Sequence, residues 1–151
     1  MTIAIGSDDA GYSLKEVIKD YLASKDIEIK DFGAVSGCDP TLYPETAKNV
    51  ATAVAEKRYD RGILICGTGI GMCIVANKIG GVRAALCHDT YSAERARKSN
   101  DAQIITLGAR VIGSELAKKI IDEWLWSDFA GGASQPKLDM INDIDHETRR
   151  I

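Results

Sequence analysis

Arg61-Gly62-Ile63-Leu64-Ile65-Cys66-Gly67-Thr68-Gly69-Ile70-Gly71 is the stretch on which the fold turns. Arg61–Ile65 is an apolar run of strand length, and it passes directly into a turn with glycine at every second position. A buried strand that ends this way delivers its last side chain and the following amides to one edge of a sheet. Cys66 stands at that edge. A thiol takes up a proton, the Thr68 hydroxyl passes one, and the amides of Gly67, Gly69, Ile70 and Gly71 are free to hold an oxyanion. The segment reads as a proton-transfer site. It does not follow G-x-G-x-x-G, and no Lys-Ser/Thr follows its last glycine, so neither the dinucleotide fingerprint nor the Walker phosphate loop is present.

On both sides of this stretch, short apolar runs alternate with amphipathic segments, the pattern of strand-helix units around a parallel sheet. Strands are expected at Thr2–Gly6, Ile27–Phe32, Gly62–Ile65, Val82–Leu86 and Ile104–Leu107. Leu14, Val17, Ile18, Tyr21 and Leu22 define a first helix, with Ser13 and Glu16 placed as a capping box. A second helix begins near Pro44 and turns Ala47, Val50, Ala51 and Val54 inward. A third starts within the glycine run and continues to about Lys78. Polar Thr90–Ser99 is a fourth, and Ser114–Trp126 a fifth, with Leu116, Ile120 and Trp124 on one stripe. The last runs from about Lys137 to Arg149. The expected fold class is α/β: a doubly wound five-stranded parallel sheet with helices on both faces and a C-terminal helix, forming a single domain over residues 1–151.

Composition narrows the function. The chain has 151 residues, 45% of them hydrophobic, enough for one domain with a real core. Nineteen basic against 22 acidic residues leave a charge of −3, which argues against a nucleic-acid surface and allows only a small anionic partner. Cys38, Cys66, Cys73 and Cys87 show no C-x-x-C spacing and read as free thiols, with Cys73 and Cys87 in the core or a pocket wall. Two histidines, His88 and His146, do not suggest a metal site. No signal segment or membrane-length apolar run is seen, so the expectation is a cytoplasmic protein with no membrane partner.

In an open parallel sheet, ligands bind outside the carboxyl ends of the strands. That rule gathers Asp8 and Asp9 after the first strand, Cys66–Gly71 after the third, His88 after the fourth and Arg110 after the fifth. Each has a plainer reading. By itself Cys66 is a small buried apolar residue, Thr68 and the two aspartates are helix caps, and His88 is a hydrogen-bonded structural histidine. Arg95, Arg97 and Lys98 read as the solvated face of a helix. Trp124 and Trp126 belong to the core or to subunit contacts.

Taken together, Gly6-Ser-Asp-Asp-Ala-Gly-Tyr-Ser-Leu-Lys15, Tyr43-Pro44, Ile65–Gly71, Ala76-Asn-Lys78, Gly81-Val-Arg-Ala84, Ser99-Asn-Asp101 and Gly108-Ala-Arg-Val-Ile-Gly113 resemble the ribose-5-phosphate isomerase B and galactose-6-phosphate isomerase family. The resemblance implies a Rossmann-like domain that isomerises a phosphorylated sugar between aldose and ketose with no metal or other cofactor. Its sites would be completed across the interface of a homodimer, or within a tetramer. It makes Cys66 the general base, with Thr68 assisting proton movement between two oxygens. The amides of Gly67, Gly69, Ile70 and Gly71 would stabilise a cis-enediolate. Asp8, Tyr43 and Asn100 match sugar contacts, and Arg110 a phosphate contact.

The departures bear on the substrate. The family usually has histidine where this chain has Asp9 and Ser99, and arginine where it has Ala133 and Lys137. The histidine matching Ser99 is the one assigned to opening a furanose ring. Asp9 repels a phosphate placed beside it, and Lys137 keeps a point charge without the arginine fork. A four-carbon sugar phosphorylated on O4 cannot close that ring, and His88-Asp-Thr-Tyr-Ser-Ala-Glu-Arg with Ser99-Asn-Asp-Ala-Gln103 resembles the branch acting on erythrulose 4-phosphate. Competing readings are a ribose 5-phosphate isomerase in which His88 opens the ring, one subunit of a heteromeric hexose-6-phosphate isomerase, and a nucleotide- or flavin-binding module on the same fold.

Overall fold

Ile3, Ile5, Ile63, Ile65, Ile105 and Leu107 are fully buried against one layer of helices, and Ala4, Leu64 and Ile104 against the other. Strands buried on both faces are the hallmark of a parallel sheet covered on each side. The computed structural model describes residues 1–149; Arg150 and Ile151, the end of the expected 1–151 domain, lie outside the described residues. The strands are β1 (Thr2–Ser7), β2 (Glu28–Asp31), β3 (Arg61–Cys66), β4 (Ala84–Leu86) and β5 (Ile104–Gly108). All pair in parallel, in the order β2-β1-β3-β5-β4.

Six helices connect or follow them: α1 (Tyr12–Ala23), α2 (Tyr43–Ala55), α3 (Ile70–Ala76), α4 (Thr90–Lys98), α5 (Ser114–Leu125) and α6 (Gln135–Thr148). Helices α1, α4 and α5 cover one face, and α2 and α3 the other. From β1 the chain winds through α1 to β2 on one side. From β3 it winds through α3 to β4 at the far edge, and α4 returns it to β5 between them. The winding reverses between β1 and β3, so a crevice opens where Asp8 and Cys66 leave the sheet.

Buried polar groups lock the layers together. Arg61, at the start of β3, donates to the carbonyls of Trp124 and Leu125 at 2.9 and 2.6 Å and lies over the Trp124 ring, closing the carboxyl end of α5. Trp124 is fully buried and its indole N–H donates to the Ala102 carbonyl. Lys15, 1% exposed, reaches Asp31 Oδ2 at 2.5 Å and the Ala34 carbonyl at 2.7 Å, tying α1 to the loop after β2. Among the described residues no helix is long and apolar enough to cross a membrane.

Several local expectations are corrected. Ser13 and Glu16 form no capping box: α1 begins two residues earlier behind Gly11, whose N–H is taken by Asp8, and Glu16 turns to Lys15 and Lys19. The buried stripe of α5 runs through Ala117, Ile120, Ile121, Trp124 and Leu125. Leu116 is 41% exposed at its rim, because an i, i+4 series drifts about 40° around a helix at each step. Val17 is likewise exposed at the edge of α1. Arg97 is buried, not solvated, and donates to Ala102 and Asp101. Of the two tryptophans expected in the core or at subunit contacts, Trp124 is in the core, and Trp126, 61% exposed, is left with the subunit-contact reading. β4 is shorter than Val82–Leu86 because Val82 is spent closing the preceding turn.

Candidate active site

Cys66 is the last residue of β3, paired with Gly108 of β5, and its sulfur accepts the Gly69 N–H at 3.1 Å. Gly69 holds φ = 76°, a left-handed conformation that lets the chain reverse into α3 and aim that amide back at the sulfur. Any hydrogen on the thiol must then point elsewhere. Cys66 is 5% exposed, at the floor of an open cleft of about 510 Å³ lined by Asp8, Asp9, Ala10, Tyr43, Gly67, Thr68, Ile70, Gly71, Ile74 and Arg110.

Each wall has a backbone cause. The turn after β5 is stitched to the thiol turn, Ala109 N–H to the Cys66 carbonyl at 2.8 Å and Arg110 N–H to the Gly67 carbonyl at 3.0 Å, which brings the Arg110 guanidinium over Gly67. That guanidinium makes no hydrogen bond or ion pair among the described residues. On the opposite wall, Asp39 folds the loop before α2 by accepting the N–H groups of Val35 and Thr41, and α2 then opens on Tyr43 and Pro44. The Tyr43 ring lies across Gly71, where a Cβ would sit 2.6 Å from its carbons. Thr68 Oγ1 is exposed and accepts the Ile70 N–H at 3.3 Å.

The electrostatics of the cleft are mixed. Burial pushes the Asp8 carboxyl above its ordinary value, the Gly11 amide opposes this, Asp9 repels it further, and Arg110 pulls it back. Two further thiols are partly or wholly buried, Cys73 and Cys87. Burial raises Cys73, and pushes Cys87 up to about 12 with Asp89 adding repulsion. Both stay protonated at neutral pH. Among the described residues no three His, Cys, Asp or Glu side chains are disposed to hold a metal ion.

Of the residues singled out from sequence, Asp8, Asp9, Tyr43, Cys66, Gly67, Thr68, Ile70, Gly71 and Arg110 meet at the cleft, with Gly69 behind the thiol. Three do not. His88 is at the same sheet edge, but its Nε2 accepts the Gly108 N–H at 2.9 Å and the residue is not part of the cleft lining. Asn100 sits in the turn that enters β5, and Gly62 pairs with Ile104 there. It therefore lies at the amino edge of the sheet, separated from Cys66 by the length of β3, about 13 Å of strand. Lys137 is exposed on α6, which packs against the turn between α3 and β4 at that same edge. Ile74 and Ala10 were missed. The spacing of Ile74 from Ile70, i, i+4 on one face of α3, is the signal that would have found it.

A doubly wound sheet with a thiol, a hydroxyl and a cluster of turn amides at its switch point has the groups that proton transfer needs. The model of the Ribose/Galactose Isomerase family matches residues 3–141. The D-erythrulose-4-phosphate isomerase of Pectobacterium atrosepticum is 53% identical over 149 residues, 99% of this chain and 98% of that protein. The ribose-5-P isomerase B of Listeria innocua is 57% identical, covering 99% of this chain and all of its own length. The structure of Clostridium thermocellum ribose-5-phosphate isomerase B superposes with a TM-score of 0.95 at 44% identity, over 98% of this chain and 99% of that one. The chain belongs to the ribose/galactose isomerase family, and it is an isomerase with the Rossmann-like fold of those structures.

Proposed function

We propose that this isomerase interconverts the ketose and aldose forms of a four-carbon sugar phosphate of the erythrulose 4-phosphate type, through a cis-enediolate. The observation that carries the chemistry is the Cys66 sulfur at the cleft floor, fixed by the Gly69 amide and faced by Thr68. As a thiolate, Cys66 takes a proton from C1 of the ketose and returns it to C2. Thr68 carries the hydroxyl proton from O1 to O2. The amides of Gly67 to Gly71 hold the charge that builds on oxygen, Asp8 and Tyr43 hold the sugar hydroxyls, and Arg110, unpaired within the described chain, takes the phosphate.

Chain length is argued from the imidazoles. His88 is engaged with the Gly108 amide and serine stands at position 99, so no imidazole of this chain lines its own cleft to open a furanose ring. A tetrose 4-phosphate needs no ring opener. Ribose 5-phosphate remains the second reading, favoured by the 57% identity to a protein named for it.

The separation of Asn100 and Lys137 from Cys66 supports a homodimer, or a tetramer of such pairs, in which each cleft is completed by a second copy. Exposed Met140, Ile141 and Ile144 on α6 fit a face covered in that assembly. The chain would act as one domain over 1–151, and four unpaired cysteines suit a reducing cytoplasm. The test is turnover of C4, C5 and C6 phosphosugars by native protein and Cys66→Ala, with proton exchange followed in deuterated water. Erythrulose 4-phosphate should be the best substrate and Cys66→Ala inert; much faster turnover of ribose 5-phosphate would overturn the tetrose assignment.

A further inference from the structure

We propose that Arg83 is a positioning residue for the half of the active site that one chain lends to another, a proposal resting on the shared-site reading above. Arg83 precedes β4 at the amino edge of the sheet, where Asn100 and Lys137 also lie. It touches none of the cleft residues, yet every nitrogen of its guanidinium is engaged. Nε donates to the carbonyls of Asn100 and Asp101, both at 3.1 Å, Nη2 to Asp101 Oδ2 at 2.8 Å, and Nη1 to Asn142 Oδ1 at 3.1 Å. Its own N–H is held by Gln103 Oε1 at 2.8 Å.

These bonds join two otherwise separate elements. The Ser99-Asn100-Asp101 turn carries Asn100, and its conformation is unusual: Asp101 has φ = 46°, a left-handed backbone in a residue with a side chain. Arg83 and Arg97 hold that carboxylate from two sides, Arg97 at 2.9 Å. The second element is α6, which carries Lys137 five residues, about 7.5 Å along the axis, before Asn142. Leu138 is the buried apolar anchor of α6, and polar ties do the rest: Arg83 to Asn142, the Gly81 N–H to Asp145 and Arg149 to the Lys78 carbonyl. One planar fork thus sets the Asn100 turn against the helix bearing Lys137. A lysine at position 83 supplies a single point charge and cannot span both.

The test uses two differently tagged full-length chains, co-expressed and purified as hybrid dimers. Cys66→Ala and Asn100→Ala should each be inactive alone. Their hybrid contains one doubly defective and one intact cleft, and should recover about half the wild-type turnover per dimer. Arg83→Gln alone should lose about 10- to 100-fold in kcat/KM, and Arg83→Lys should not restore it. Paired with Cys66→Ala, Arg83→Gln should also recover about half. If that hybrid stays inactive while the Asn100→Ala hybrid recovers, Arg83 serves its own fold or cleft and the proposal falls. If the Asn100→Ala hybrid itself fails, the shared-site reading falls and Arg83's role with it. Should Arg83→Gln not fold, Asp101→Asn makes the same test: it removes the carboxylate while asparagine tolerates the left-handed turn, and its hybrid must complement in the same way.

Discussion

Gly69→Ala puts the packing behind the thiol turn to a quantitative test. A Cβ at this position meets Leu86 Cδ1 at 2.7 Å and the Leu107 backbone at 2.8 and 2.9 Å, on a residue whose φ is 76°. The Leu86 tip is partly exposed and can move, but Leu107 is fully buried in a central strand and cannot. The left-handed backbone costs about 1–2 kcal/mol for a residue with a Cβ. Overpacking against fixed backbone adds about 1–3 kcal/mol, for a total of about 2–5 kcal/mol from a fold worth about 5–15. At about 2–4 °C per kcal/mol for a chain of this size, the melting temperature should fall by about 4–20 °C. Gly81→Ala is the internal control, since Gly81 has the same φ of 76° and nothing within 4 Å of its Cβ, so it bears the backbone cost alone. Thermal and urea melts of both variants should place Gly69→Ala clearly below Gly81→Ala. Equal melting of the two would refute the claim that the turn is packed without slack against β5. Turnover per folded molecule should drop as well, since a displacement of about 1 Å at the thiol can cost about 10²-fold.

Three other perturbations follow from the same geometry. Lys15→Met breaks a buried pair and should cost about 2–4 kcal/mol, less than a fully orphaned charge because Lys19 and the Gly33 amide still hold Asp31. Burial alone would raise the Asp31 carboxyl, but Lys15, Lys19 and that amide outweigh it and leave it below its ordinary 3.8. The stability it contributes is therefore present above that value and lost as pH falls through the lower folded one, so acid melts of wild type and Lys15→Met should converge there. Asp8→Asn has the opposite sign: a raised carboxyl opposes folding once ionised, so the variant should melt above wild type at pH 7 and match it at acid pH, while KM for the sugar rises. At Gly71→Ala the three atoms nearest the new Cβ all belong to the exposed Tyr43 side chain, which can swing away; its melting temperature should stay within about 2 °C of wild type, and a KM increase of several-fold would report Tyr43's contact with substrate.

Much of this molecule was legible one element at a time. Arg61–Ile65 reads as a strand because it is apolar throughout, and it is buried on both faces. Asp8, Cys66 and Arg110 were placed at one sheet edge because all follow strands of a parallel sheet. The errors share a cause. Leu116 and Val17 fit the helical period but sit at the rim of the stripe, and period alone does not say where a helix rolls against its sheet. Arg97 reads as solvated because it is charged; it is buried because the Asp101 carboxylate and the Ala102 carbonyl, both beyond the end of its helix, meet it.

What the amino-acid order determined by itself is therefore local: strands from unbroken apolar runs, helices from the 3.6 period, and a thiol followed by amides from Cys66-Gly-Thr-Gly-Ile-Gly. Those are consequences of neighbours a few residues apart. Tertiary structure decided that β5 lies between β3 and β4, that the His88 ring is engaged with the Gly108 amide, and that Asn100 and Lys137 stand at the opposite edge from Cys66. Such facts depend on which strand pairs with which and on hydrogen bonds between residues tens of positions apart. No periodicity in the chain encodes them, because they arise only when separate elements compete for the same buried surface.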